Sequence, residues 1–325
     1  MPRLYAKLDA LRHNAAIVRK ACDEADACCL PVFKEAALHP ALARCIIEGG
    51  KLDCFGTLAW NEYDLDALAG IKLHHIYSPS NATASRISDF DTVYVNSRYS
   101  LHLLHEQCGS KRPRLRICLE CGDGRDGFLP EELPAFCEEA VRLGFSIRGL
   151  ALNFACLSSN APSINDLEEA GNALDVVRHF SPEADISAGG TDILELAEST
   201  RLPACVKEIR CGTGILLGVY PLSGKPILDA RQDTFRLEGT VLECRVKGGR
   251  MRALFDFGHF HTHCASLVAP LSGMAFIGAS SAYCAYDVTD CAQEIREGQN
   301  LSFGLNFHSL ASALISRTLP LEMTP

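Results

Sequence analysis

The residues with chemical reach in this chain begin with Lys34, which follows the apolar run Cys28-Cys29-Leu30-Pro31-Val32-Phe33 and precedes a helical pattern. A run of that length between turn signals suits a strand buried on both faces. Barrels and doubly wound sheets carry their chemistry at the C-terminal ends of such strands. Partial burial at that mouth favours a neutral amine able to form a Schiff base with an aldehyde cofactor or a carbonyl substrate, while a lysine snorkelling from a strand end is the plainer alternative. Four further groups fall where apolar runs end: Arg125 in Gly122-Asp-Gly-Arg-Asp-Gly127, Asn153 in Leu152-Asn-Phe-Ala155, the turn Gly189-Gly190-Thr191, and Arg210-Cys-Gly212-Thr213-Gly214. Glycine turns at strand ends offer backbone N–H groups to phosphate, and Gly189-Thr191 also opens a helical pattern whose N-terminus favours an anion. One rim is therefore expected to gather a lysine, two arginines, an amide and two glycine-rich turns.

The elements that must position these groups alternate. After a helical pattern from Leu8 to Cys22, short apolar runs recur around Lys34 and at 52–58, 73–77, 92–95, 115–121, 147–154, 184–188 and 206–210. Amphipathic helical segments separate most of them, at 40–48, 99–107, 131–143, 164–179 and 192–198. Eight strands with intervening helices predict a (β/α)8 barrel. A doubly wound open sheet is the runner-up, but no G-x-G-x-x-G opens the first helix. From Lys225 the helical patterns give way to short alternating runs divided by glycine, so a barrel over 1–224 and a C-terminal β domain over 225–325 are expected.

Composition narrows the partners. A net charge of −9 with no basic block argues against nucleic acid and anionic membranes and leaves a small molecule. No apolar run approaches the ~18 residues of a membrane span. The opening Met1-Pro2-Arg3-Leu4-Tyr5 lacks a secretory core, so a cytoplasmic protein is expected. Sixteen cysteines scattered through apolar segments read as buried thiols rather than disulfides. Cys118 and Cys121 fall in one strand, point to opposite faces and make a poor chelator.

Across nearly its whole length the chain resembles fold-type III pyridoxal-phosphate enzymes of the alanine racemase family, nearest the alanine/ornithine racemase branch. The resemblance rests on Pro2 to Ala15, Gly122 to Gly127, Ile186-Ser-Ala-Gly-Gly190, Ile209-Arg-Cys-Gly-Thr-Gly-Ile-Leu-Leu-Gly218, Gln232 to Glu238, Phe276 to Ser281 and Tyr286-Asp-Val-Thr-Asp290, in that order. It implies an amino-acid racemase using pyridoxal 5'-phosphate, with Lys34 holding the cofactor and moving the α-proton on one face. Arg210 would face the pyridine nitrogen, and Gly190, Thr191, Gly212 and Thr213 would form the phosphate cup. Arg125 would lie near the cofactor's phenolic oxygen and the substrate carboxylate, and Asn153 near the ring. The resemblance also implies a head-to-tail homodimer whose β domain completes the partner's active site.

Three positions depart from the family pattern. The segment Cys244-Arg-Val-Lys-Gly-Gly-Arg250 lacks the tyrosine that usually serves the opposite face, Phe307 replaces a phosphate-reaching tyrosine, and Ala282 replaces a frequent acid. Tyr283 and His259, His261 and His263 are the candidate replacements. On a strand the three histidines would share one face and could hold zinc, but a turn at Gly258 and the want of an outside ligand favour a polar rim, and no metal is expected. A decarboxylase or aldolase of the same fold, and a non-catalytic cofactor-homeostasis protein, are the competing functions. The roughly one hundred residues beyond the barrel argue against the carrier.

Overall fold

The computed structural model describes residues 1–35, 38–58, 68–81 and 84–325. β1 (Arg3–Lys7) and α1 (Leu8–Glu24) lead into eight parallel strands: β2 (Cys28–Pro31), β3 (Cys54–Thr57), β4 (Lys72–His75), β5 (Thr92–Val95), β6 (Arg114–Leu119), β7 (Ile147–Asn153), β8 (Asp185–Gly189) and β9 (Val206–Cys211). Their order, β2-β9-β8-β7-β6-β5-β4-β3, runs round a barrel. The ring joins through a bridge between Val32 and Gly56 and a 3.1 Å bond from Phe33 N–H to the Gly56 carbonyl. This is the expected (β/α)8 architecture.

The crossover helices α2 (Pro40–Gly50), α3 (Arg98–Gln107), α4 (Leu133–Arg142), α5 (Ile164–Arg178) and α6 (Asp192–Ser199) start close to where the sequence signals them, and a short α7 (Thr213–Leu217), read from sequence only as a glycine-rich turn, follows β9. Pro40 opens α2, the Ser97 hydroxyl accepts from Ser100 N–H ahead of α3, and Ser163 with Asp166 forms a capping box on α5. Along β9 the side chains alternate. Ile209 and Cys211 are buried between strand and helices, while Glu208 and Arg210 take the opposite, inward face.

The chain divides into two compact units, one of Arg12–Ile215 with Val219–Ala230 and the other of Met1–Leu11, Leu216–Gly218 and Arg231–Pro325. The first strand thus belongs with the β unit, although sequence order counts it within 1–224. β1 pairs antiparallel with β10 (Phe235–Lys247) and parallel with β16 (Leu321–Thr324), partners more than two hundred residues away that local pattern cannot reveal. The rest of that sheet runs β12-β15-β10-β11-β14-β13, built from β11 (Arg250–Phe255), β12 (Leu267–Val268), β13 (Ala275–Ala279), β14 (Cys284–Asp287) and β15 (Asn300–Leu305). Phe255, Tyr286 and Phe303 pack at its centre with ring centroids 5.0–5.7 Å apart. The expected loss of all helix beyond Lys225 is corrected by α8 (Phe307–Ile315), whose nine residues are too few to show a strong period. Asn306 and Ser309 cap it, and Leu310, Ala313 and Leu314 are buried.

Candidate active site

Lys34 stands just past β2, where Phe33 fills the core and Thr57 Oγ1 donates to the Lys34 carbonyl at 3.4 Å. The partial burial expected for the lysine is not found: the chain turns outward after Phe33 and Lys34 is exposed. Its neighbour Glu35 turns inward, and burial pushes that carboxyl up against the opposing pull of Lys34.

Arg210 lies across the same end of the barrel. One guanidinium nitrogen donates to the Ser187 carbonyl at 2.7 Å and to Ser187 Oγ at 2.9 Å, and the other donates to the Leu152 carbonyl. The guanidinium carbon sits 5.2 Å from the Tyr94 ring centroid. A Cβ on Gly189 would stand 2.1 Å from this guanidinium, so glycine there is what lets the arginine lie flat over β8. Below it, Tyr94 O–H lies 3.1 Å from Ser187 Oγ and 3.2 Å from Glu208, while Arg148 reaches Glu208 at 3.2 Å and Arg116 at 3.7 Å. Glu208 is lowered to about 2: burial opposes ionisation, but the two guanidiniums outweigh it. His74 comes within 3.8 Å of Glu208, yet burial lowers it to about 4, so at neutral pH this is a contact with a neutral ring rather than an ion pair.

The two glycine turns are tied together. Gly190 N–H donates to the Arg210 carbonyl at 3.2 Å, and Gly214 N–H donates to Thr191 Oγ1 at 3.1 Å. Gly190 has φ +100°, open to glycine and strained for other residues. The turns also engage the first amides of the helices that follow: Ile193 N–H donates to the Gly190 carbonyl at 3.2 Å, Leu194 N–H to the Thr191 carbonyl at 2.9 Å and Ile215 N–H to the Gly212 carbonyl at 3.0 Å. Thr191 is buried, and its hydroxyl serves as the tie between the turns.

Arg125 is ion-paired through Nε to Asp126 at 2.8 Å, and Asp126 also accepts from Asn96 at 2.8 Å. Asn153, the last residue of β7, donates through Nδ2 to Asp123 at 2.7 Å and accepts from the Cys156 thiol at 3.1 Å. Asp123, which sequence reasoning passed over, also accepts from the N–H groups of Leu157 and Ser158 at 2.9 Å each. Burial raises its carboxyl, but these bonds outweigh burial and hold it below the ordinary value. It fixes the loop after β7 to the loop after β6. The signal was available, because Asp123 lies inside the Gly122–Gly127 motif and only glycines at φ +96°, +67° and +127° let that loop fold back.

In the β unit, Tyr283 is half exposed on the turn between β13 and β14, where Ser280 N–H donates to its carbonyl at 2.8 Å. The histidines do not continue a strand. His261 N–H bonds back to the Gly258 carbonyl at 2.9 Å, and the turn seats Gly258 so tightly that a Cβ there would meet the Ser280 carbonyl oxygen at 2.4 Å. His261 Nδ1 accepts from Gly258 N–H at 3.1 Å and His263 Nδ1 pairs with Ser266 Oγ at 2.7 Å, so among the described residues the three rings form no metal-binding group. The turn at Gly258 thus breaks the strand alternation and leaves the three rings without a shared face.

The profile of the alanine racemase N-terminal domain matches residues 6–221. The chain belongs to the alanine racemase family. Among curated members it is similar to an ornithine racemase of Acetoanaerobium sticklandii, 22% identical over 99% of both chains. It is also similar to a lysine racemase of Thermotoga maritima, 26% identical over 71% of this chain and 72% of that one. Solved structures share the fold: alanine racemase from Corynebacterium glutamicum with TM-score 0.74 and 15% identity, covering 99% of each chain, and D-threonine aldolase from Filomicrobium marinum with TM-score 0.76 and 15% identity, covering 96% of this chain and 89% of that one. Alanine racemase from Bartonella henselae, solved with covalently bound pyridoxal phosphate, has TM-score 0.71 and 13% identity over 99% of each chain.

Proposed function

We propose that this member of the alanine racemase family is a pyridoxal 5'-phosphate-dependent racemase of amino acids with basic side chains, acting as a cytoplasmic homodimer with a shared active site. One observation carries the reading: a single barrel mouth gathers an exposed lysine, a clamped arginine and two glycine turns tied at the starts of adjacent helices. The two curated relatives, named for ornithine and lysine, support the substrate class. Dimer and location rest on the family resemblance.

The residues fit the cofactor. A Cβ on Gly190 would meet nothing nearer than Asp192 Oδ2 at 3.6 Å, so that turn is open, while Gly212 packs beside Val32, whose carbonyl oxygen a Cβ would approach to 3.0 Å. Gly190, Thr191, Gly212 and Thr213 would hold the phosphate, Asn153 would lie beside the ring, and Lys34 would hold the aldehyde carbon. When bound, the cofactor supplies an electron sink that acidifies the substrate's α-hydrogen. Lys34 moves a proton at Cα on one face. With the cofactor bound, Arg210 would offer the ring nitrogen a permanent cation and so disfavour its protonation. Arg125 pairs with the substrate carboxylate. Tyr283 from the partner subunit carries the proton of the opposite face.

The test is a panel of single L- and D-amino acids in deuterated water, read by chiral chromatography and mass spectrometry. Inversion with α-deuterium incorporation, fastest for ornithine or lysine, is expected. Exchange of one enantiomer without inversion, or aldehyde release from D-threonine alone, would overturn racemisation in favour of a one-face reaction.

A further inference from the structure

Cys22 on α1, Cys29 on β2 and Cys211 on β9 converge in the apolar layer between the barrel wall and its first helix, a juxtaposition that their spacing in sequence does not show. All three are buried, at 0%, 3% and 0% exposure, and their sulfurs lie within 4.8 Å of one another, with Cys22 and Cys211 3.9 Å apart. Metal–thiolate bonds of about 2.3 Å place three sulfurs about 4 Å apart around a trigonal ion. The cluster therefore already stands close to chelating spacing without movement of the backbone. Three sulfurs and, among the described residues, no fourth histidine, cysteine or carboxylate in the group favour a soft, three-coordinate d10 ion over zinc. The group offers sulfur and no oxygen, which excludes hard cations that bind oxygen.

We infer that Cys22, Cys29 and Cys211 form a binding site for a thiophilic d10 cation of the Cu(I) class. Each coordinating thiol loses its proton to solvent and forms a sulfur–metal bond, and no electron is transferred. Because β9 carries Cys211 between Arg210 and Gly212, the ion would sit directly behind the proposed cofactor cup.

The test titrates the holoprotein anaerobically with Cu(I) against a chromophoric chelator, in a background of Cys28→Ser and Cys156→Ser that removes the exposed thiols. One ion per chain should be retained, with an X-ray absorption spectrum showing about three sulfur neighbours. Cys22→Ala and Cys29→Ala, each in the same background, should each lower retention at least tenfold while far-ultraviolet circular dichroism stays unchanged. Retention equal in all these proteins, no retention in the background protein, or a coordination shell of nitrogen or oxygen would overturn the proposal. If a variant fails to fold, the sulfur count in the background protein decides alone.

Discussion

Replacing Glu208 with glutamine should destabilise the barrel by several kcal/mol while leaving its shape intact. Glu208 is 2% exposed and faces Arg116, which is 0% exposed, and Arg148. The gap between its value of about 2 and the ordinary 4.5 corresponds to about 3 kcal/mol of native-state stabilisation at about 1.4 kcal/mol per pKa unit. Removing one partner of a buried ion pair costs about 3–5 kcal/mol by independent reasoning, because the remaining charge stays buried. The sign fixes a pH window. A depressed carboxyl contributes above pH 4.5, and the contribution fades as pH falls from 4.5 through 2. Urea unfolding followed by circular dichroism should give a Glu208→Gln loss of about 3 kcal/mol at pH 7 that narrows towards pH 3. The variant should also hold its cofactor less tightly, since Tyr94 O–H bridges Glu208 to the serine that clamps Arg210. A loss below about 1 kcal/mol at pH 7, or one independent of pH, would refute the reasoning.

His74 and His75 are each lowered to about 4, chiefly by burial, so the unfolded chain takes up protons near 6.5 that the native barrel refuses. Stability should therefore fall as pH drops from 6.5 towards 4, by up to about 3 kcal/mol per ring, and His75→Phe should flatten part of that limb in denaturant titrations at stepped pH. Asp123→Ala removes the acceptor of three bonds and should cost about 2 kcal/mol or more in stability, with catalysis falling further than in Asp123→Asn; kinetics of both variants beside the parent measure the difference.

Much of the fold was legible because each barrel strand is a short apolar run ended by glycine or a polar residue, and its helices open on caps or proline. Lys34, Asn153, Gly190 and Arg210 lie at or just beyond strand ends as that pattern places them, whereas Arg125 lies further out, in the loop after β6. What escaped depends on long-range pairing. β1 finds its partners at β10 and β16, and Glu208 meets Arg116 and Arg148 only once the barrel closes. The turn that breaks the histidine alternation was legible at Gly258 itself, whereas the packing of Gly258 against the Ser280–Tyr283 turn is a constraint that a period-two pattern does not carry.

Sodium borohydride reduction of the purified yellow holoprotein, followed by peptide mapping, tests most directly that Lys34 is the reactive amine of the barrel mouth. A single reduced pyridoxyl adduct is expected on the peptide carrying Lys34, absent from Lys34→Ala. Recovery of the adduct on any other lysine, or its persistence in Lys34→Ala, would contradict it.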